Sequence, residues 1–150
     1  MTQDDYWYDR VKRCAQNSNC HSRQIGAVLV SSNNQLISGG WNSSMLPDEC
    51  KDFCPRQELG FKSGEGLEIC PAIHAEIACI AAAAREEKST YNSRLYMNSC
   101  FPCKNCAVAL IASGISEIIC LIDDYYDEIS KLIYKKYNIN LRTFNLTKEV

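Results

Sequence analysis

The chain has 150 residues, 46% of them apolar and 23% charged, with 16 Lys+Arg against 18 Asp+Glu and a net charge of −2. That length favours one domain over residues 1–150, able to fold without disulfides, and the composition excludes disorder, collagen and coiled coil. The charge balance argues against a duplex nucleic-acid partner, whose affinity comes largely from neutralised phosphates. No apolar run approaches about 18 residues, and the start MTQDDYWYDRVKRC is too polar for a signal peptide, so a soluble, cytoplasmic protein with no membrane partner is expected. The anomaly is ten cysteines. In a reducing compartment they point to metal or catalysis rather than to disulfides.

Residues 4–19 place Tyr6, Trp7, Val11, Cys14 and Ala15 at helical spacing with a polar outer face. Gln24 to Ser31 is a continuous apolar run rich in β-branched residues, a buried strand. Asn33-Asn34 turns it, and Gln35 to Trp41 returns as the hairpin partner. From Asn42 to Pro71 the periodicity disappears, and an irregular stretch this long needs a function or a staple. Ala72 to Arg85 is an Ala-rich helix almost without a polar face, hence largely buried. Arg94 to Asn98 reads as a strand, Cys103 to Ala112 as a helix stopped at Ser113-Gly114, and Glu117 to Ile122 as a strand. A helix over 126–137 and a short strand from Leu141 to Phe144 complete the chain, and neither carries an assignable role. The order α-β-β-α-β-α-β-α-β implies an α/β fold, a three-layer α/β/α sandwich on a mixed five-stranded sheet. An antiparallel hairpin begins that sheet and parallel strands follow.

Two clusters carry the chemistry. His74-Ala75-Glu76 and Pro102-Cys103-Lys104-Asn105-Cys106 each open one of the buried helices. His74, Cys103 and Cys106 are three good zinc ligands that leave a fourth tetrahedral position for water. Cys103 and Cys106, at i and i+3 of one helix, share a face, and a helix N-terminus favours the thiolate. His74 and Glu76 would diverge in mid-helix, but in a first turn both lean towards a site beyond the helix end. Glu76 is therefore expected beside the bound water rather than on the metal. A metal-bound water acidified to about 7 is a nucleophile, and a neighbouring carboxylate can accept its proton and deliver it elsewhere. Such a kit attacks the amine-bearing carbon of an amidine-like ring such as cytosine. Taken singly, C-x-x-C also fits a redox pair or half of a structural zinc site, and a lone His fits a core residue. The joint spacing favours catalysis.

H-x-E followed by P-C-x-x-C is the signature of zinc nucleobase deaminases. The chain resembles the zinc-dependent cytidine/deoxycytidylate deaminase family, and most closely its bacterial and viral deoxycytidylate type, from about Asp5 to Tyr126. Ser18 to Val28 is similar to that type's S-x-C-x-R-x-x-V-G-A-V. Ala72 to Glu76 is similar to its zinc-helix opening, and Gly114-Ile115 with Asp123-Asp124-Tyr125 to the segment after its C-x-x-C helix. The resemblance implies a cytidine-deaminase-like fold, hydrolysis of dCMP to dUMP and ammonia for thymidylate synthesis, and a homo-oligomer, usually a hexamer. Matched by position, His74, Cys103 and Cys106 hold the catalytic zinc and Glu76 shuttles the proton. Asn42 meets the nucleoside, while Arg23 and Tyr125 serve the phosphate end. The alternatives are a surface cation for Arg23 and an aromatic packed on the sheet for Tyr125. The chain also departs from the family. Gly40 to Asp48 keeps the Asn but lacks the glycines of the G-Y-N-G-x-P-x-G loop, which bears on regulation by dCTP and dTTP and on preference for the monophosphate. Tyr96 to Pro102 is one residue longer than usual, as a bulge beside the site would make it. The segment between Pro55 and Cys70 yields no functional reading.

Cysteines at places matching Cys20, Cys50, Cys54 and Cys70 hold a structural zinc in the family's microbial members. Four thiolates closing one site would order the long loop, with His21 as reserve ligand. The alternative is four separate thiols. Cys14, Cys79, Cys100 and Cys120 occupy apolar or strand positions that packing explains, Cys100 being near the metal. Two competing functions remain at this level. One keeps the chemistry but acts on dCTP, CMP, cytidine or a tRNA base. The other is a zinc-stapled binding module, against which Glu76 speaks, because a structural site needs no such carboxylate.

Overall fold

The computed structural model describes residues 1–44, 53–62, 65–66 and 69–147. In chain order its elements are α1 (Gln3–Ala15), β1 (Gly26–Val30), β2 (Leu36–Trp41), β3 (Ser43–Ser44), α2 (Pro55–Glu58), β4 (Ala72–Ile73), α3 (Ala75–Arg85), β5 (Arg94–Met97), α4 (Lys104–Ala112), β6 (Glu117–Cys120), α5 (Glu128–Lys136) and β7 (Asn140–Thr143). The main sheet runs β2-β1-β5-β6-β7. β1 is antiparallel to both β2 and β5, and β5, β6 and β7 are parallel. This is the mixed five-stranded sheet that the order of elements implies.

The near-continuous apolar runs follow from burial on both faces. Side chains alternate across a strand, so Ala27 and Leu29 enter one core while Val28 and Val30 enter the other. Leu95 and Met97 oppose Tyr96 in the same way, and Ile118 and Cys120 oppose Ile119. The smaller core is roofed by α1 through Trp7 and Val11, and the larger by α3, α4 and α5 through Ala75, Cys79, Leu110 and Tyr134. Two glycines permit the closest approaches. A Cβ on Gly26 would lie 2.3 Å from the Val11 carbonyl of α1, and one on Gly40 would lie 2.7 Å from both the Ala75 carbonyl and the Cys79 amide of α3.

Three differences from expectation bear on the site. α1 stops at Ala15 rather than near residue 19, because the Asn17 and Ser18 amides turn back onto the carbonyls of Cys14 and Ala15. That turn frees the Ser18 hydroxyl to donate to Asn42 Oδ1 at 2.7 Å. Ala72 and Ile73 are not the start of a helix. They pair antiparallel with Ser44 and Ser43, and this pairing overrides the helical preference of alanine. The small sheet ties together the two ends of the irregular stretch and sets His74 beside Asn42. Cys103, finally, lies outside α4.

At the other end of the molecule, Asp4 of α1 accepts two hydrogen bonds from Arg142 of β7, at 2.6 and 3.0 Å, and one from the Asn145 amide at 2.7 Å. Arg142 Nε reaches Glu117 Oε1 at 2.7 Å. This network links α1, β6 and β7. Among the described residues, no helix is long and apolar enough to cross a membrane.

Candidate active site

α3 and α4 begin alike. His74 is the N-cap of α3, with φ −75° and ψ 149°, and Cys103 is the N-cap of α4, with φ −64° and ψ 169°. An N-cap has left helical geometry, so its side chain is not bound to the helical face below it. Neither residue caps its own helix with its side chain. His74 Nδ1 instead lies 3.7 Å from Cys103 Sγ and 3.3 Å from Cys106 Sγ, the latter in the first turn of α4. The expectation that the cysteines meet as i and i+3 of one helix is corrected here: they meet as an N-cap and a first-turn residue.

One ligand atom from each of His74, Cys103 and Cys106 lies within 4.8 Å of the others. One imidazole nitrogen and two sulfurs, largely shielded from water, form the borderline-soft donor set that suits zinc. The Cys103 thiol is drawn down to about 4, chiefly by the hydrogen bond from Cys106 and, against the cost of burial, by His74. Cys106 is pushed up for the converse reason, as it holds the proton the two sulfurs share. His74 is raised by its bond to Cys103, and Glu76 adds to this. Glu76 itself is only 5% exposed. Burial raises its carboxyl, with the charge of His74 and a bond from the Cys106 thiol opposing. Glu76 thus stands next to the three-ligand set without being one of its members.

His74, Cys103 and Glu76 lie in the wall of a cleft that Arg23, Asn42, Met97, Ser99, Cys100 and Tyr126 also line, while Cys106 is buried. Asn42 is buried and heavily engaged. Its Oδ1 accepts from Ser18 Oγ and from the Ile25 amide at 2.8 Å, and its Nδ2 donates to the Arg23 carbonyl at 2.8 Å. In this geometry Asn42 shapes the loop that carries Arg23 along the cleft. Tyr125 is placed elsewhere. Its ring packs between Phe101, at a centroid distance of 5.4 Å, and Tyr134, at 6.3 Å, with the Lys131 ammonium over it. The bridge between Phe101 and Tyr125 turns that side chain to the core, and the next residue, Tyr126, lines the cleft instead. Tyr125 is thus the aromatic packed on the sheet, the alternative given for it, and Tyr126 is the tyrosine in the cleft wall.

Arg56 was not singled out from the sequence, because it lies in the aperiodic stretch that yields no functional reading. α2 docks on the cleft loop through Gln57 Nε2 and Ser22 Oγ at 3.3 Å. The Arg56 guanidinium acts electrostatically on Tyr126 and His74. Its Nη1 donates to the Glu65 carbonyl at 3.0 Å, and its Nε is buried with no hydrogen-bond partner among the described residues.

The other cysteines divide. Cys79 and Cys120 are fully buried, and burial pushes both thiols well up. Cys14 and Cys100 are raised by partial burial, and Cys100 lines the cleft. Cys20 and Cys70 also line it, whereas Cys54 is the N-cap of α2. Among the described residues these three sulfurs do not converge into a ligand set, and all nine described cysteines are free. Cys50, and Met45 to Asp48 of the loop that departs from the family pattern, lie outside the described residues.

Residues 1–122 match the family model of the cytidine and deoxycytidylate deaminase zinc-binding region. A deoxycytidylate deaminase of Saccharomyces cerevisiae is 31% identical over 148 residues, covering 97% of this chain and 46% of that protein. One from Schizosaccharomyces pombe is 28% identical, covering 94% of this chain and 44% of that protein. The chain thus spans about half the length of these two relatives. A deoxycytidylate deaminase of Mycobacterium phage D29 is 28% identical over 121 residues, with 77% of this chain and 91% of the phage protein covered. The crystal structure of dCMP deaminase from the cyanophage S-TIM5, in complex with dCMP and dUMP, aligns with a TM-score of 0.72. It has 17% identity and covers 93% of this chain and 95% of that one. At that identity the likeness establishes the cytidine-deaminase-like fold.

Proposed function

Because this chain belongs to the cytidine and deoxycytidylate deaminase zinc-binding family, we propose that it hydrolyses dCMP to dUMP and ammonia. The observation that carries this reading is the buried Glu76 carboxyl beside the convergent His74, Cys103 and Cys106, with Glu76, His74 and Cys103 in the wall of one cleft. The names of the yeast and phage relatives support the substrate. So do two cations beside the cleft, Arg23 and Arg56, suited to a phosphate that a free nucleoside lacks.

His74 Nδ1, Cys103 Sγ and Cys106 Sγ would hold a catalytic zinc. When bound, that ion supplies a Lewis acid that lowers the pKa of a coordinated water to about 7. Glu76 takes a proton from the attacking water as the bond to C4 of the cytosine forms, and passes it to ring N3. Glu76 then takes the proton of the new C4 hydroxyl and delivers it to the departing amine as the C4–N bond breaks and the C4 carbonyl forms, so dCMP and water leave as dUMP and ammonia. Burial raises the Glu76 carboxyl above the ordinary carboxylate value, the direction that favours a group acting as donor as well as acceptor.

We propose three finer points alongside this. A second, structural zinc on Cys20, Cys50, Cys54 and Cys70 is supported by the ligand-like spacing of Cys50 and Cys54 and by the need to order the long segment. A cytoplasmic homo-hexamer is supported by family resemblance for the hexamer and by the polar N-terminal sequence for the location, and the third point is a departure from the usual regulation by dCTP and dTTP, supported by the missing glycines of Gly40 to Asp48. The deciding experiment is ammonia release from dCMP, CMP, dCTP and deoxycytidine, with and without dCTP or dTTP, alongside metal analysis. Preferential turnover of dCMP with two zinc ions per chain is expected. Turnover of another member of the panel in preference to dCMP would reassign the substrate.

A further inference from the structure

The stretch from Ser99 to Lys104 delivers Cys103 to the site, and it is bonded along its length to the chain that follows β6. The Ser99 carbonyl accepts from the Leu121 and Ile122 amides, both at 3.2 Å, and the Phe101 amide donates to the Asp124 carbonyl at 3.0 Å. Two side chains continue the series. Asp127 Oδ2 accepts from the Lys104 amide at 3.0 Å while its Oδ1 accepts from the Ser130 amide at 2.6 Å. The Tyr134 hydroxyl, on a side chain only 2% exposed, donates to the Pro102 carbonyl at 2.8 Å. The residue on each side of Cys103 is therefore held by a side chain from α5 or its cap.

This arrangement answers a need created at α4. A helix start leaves four amides without intrahelical partners, and the N-cap side chain usually satisfies one of them. At α4 the N-cap is Cys103, whose sulfur faces His74 instead. Asp127 supplies an acceptor from the neighbouring helix, so a single carboxylate serves the starts of both α4 and α5. It also brings negative charge to a helix N-terminus, where it is favoured. Asp127 and α5 lie beyond the stretch that the family model matches, 1–122.

We propose that Asp127 and Tyr134 are positioning residues of the metal centre: α5 straps the Pro102-Cys103-Lys104 turn and holds the Cys103 sulfur towards His74. The inference rests on the reading that His74, Cys103 and Cys106 bind zinc. Partners of this kind, one bond removed from the ligands, commonly contribute about 10- to 100-fold in metal affinity.

The test measures zinc release from the purified holoenzyme to a chromophoric chelator, together with the visible spectrum of the cobalt-substituted protein. The variants are Tyr134→Phe, Asp127→Ala and Asp127→Asn. Val30→Ala, in the core on the opposite face of the sheet, serves as a control for lost stability. Tyr134→Phe and Asp127→Ala are expected to release zinc about 10-fold faster or more and to shift the cobalt spectrum. Asp127→Asn, which keeps one acceptor for the cap, should lie between these and the parent. Val30→Ala should lower Tm without changing release or spectrum. The strap is refuted if folded Asp127→Ala and Tyr134→Phe release zinc at the parental rate, or if Val30→Ala speeds release as much as they do. A parent protein that binds no zinc through His74, Cys103 and Cys106 would instead overturn the underlying reading.

Discussion

His74 and Cys103 hold the same position in two different helices, each being the N-cap, in extended backbone conformation, with a side chain that leaves its own helix uncapped. Because α3 and α4 both lie against the larger core, their N-terminal ends sit side by side, and imidazole nitrogen and thiol sulfur come to 3.7 Å. The metal-binding geometry is thus a property of two helix starts rather than of one helix face. Anything that lengthens either helix by one residue at its start would pull a ligand out of the set.

The carboxyl of Glu76 is the group whose removal separates chemistry from structure. Glu76→Gln keeps the shape and removes the proton carrier, so kcat should fall about 10²- to 10⁴-fold. Zinc content should not change, and Tm should not drop, because a buried ionisable group has been neutralised. Ammonia release and metal analysis on the same preparation check this. Undiminished turnover would eliminate Glu76 as the shuttle.

Zinc is expected to stabilise the fold as well as to act in it, since an unfolded chain cannot preserve the converging His74, Cys103 and Cys106. At free zinc about 100-fold above Kd, the gain is about 2.7 kcal/mol. Chelation should lower Tm and abolish turnover together, and added zinc should restore both. Cys106→Ser should blunt the Tm response to zinc.

Two glycines offer a matched pair of substitutions. Gly40→Ala forces a methyl to 2.7 Å from the Ala75 carbonyl and the Cys79 amide, pushing on the helix that carries Glu76. Gly26→Ala forces one to 2.3 Å from the Val11 carbonyl, on the opposite face of the sheet. Each should cost about 1–3 kcal/mol of stability, as overpacking does. Only Gly40→Ala should also reduce kcat in the fraction that remains folded. Thermal melts and turnover at a temperature where both variants are folded discriminate the two.

The proposed role of Arg56 towards the phosphate can be tested. Its buried Nε has no hydrogen-bond partner among the described residues, and its charge reaches Tyr126 in the wall of the cleft. A charge-assisted hydrogen bond of about 1.5–3 kcal/mol implies that Arg56→Ala raises KM for dCMP 10-fold or more. KM for deoxycytidine should hardly move. Equal changes for both substrates would show that Arg56 shapes the loop instead of meeting the phosphate.

Asp4 sets an acid limit on stability. Burial pushes its carboxyl up, but the hydrogen bonds from Arg142 and the Asn145 amide outweigh this and hold it below the ordinary value. A carboxyl lowered in the folded state contributes stability that is fully present above the unfolded pKa, about 3.9, and is lost as pH falls through the folded value. Asp4→Asn should cost about 2 kcal/mol at neutral pH, and its penalty should shrink as the medium is acidified below that range. Urea melts of parent and variant at neutral pH and at pH near 3 test the sign. A penalty that grows on acidification contradicts it.

Much of this architecture was legible from periodicity and punctuation. The strands at 26–30, 36–41, 94–97 and 117–120 are apolar runs closed by turn residues, and burial on both faces leaves no other reading for them. The spacing of His74, Glu76, Cys103 and Cys106 announced a metal-bearing pair of helix starts. The stretch after Asn42 was opaque because its order comes from pairing across distance. Ser43 and Ser44 meet Ala72 and Ile73 in a two-stranded sheet that neither segment specifies alone.

What the sequence determined by itself was therefore the candidate ligands, the sheet that carries them and the family to which the chain belongs. Those depend on residue type and on local spacing, which survive without coordinates. Only the tertiary structure decided which side chains come together around the site: Tyr126 rather than Tyr125 in the cleft wall, Arg56 from a segment without periodicity acting on Tyr126 and His74, and Asp127 and Tyr134 bonded to the turn around Cys103. The reason is geometric. One residue's difference in a bridge reverses a side chain, and a hydrogen bond between Pro102 and Tyr134, 32 residues apart, leaves no mark on the local pattern of either.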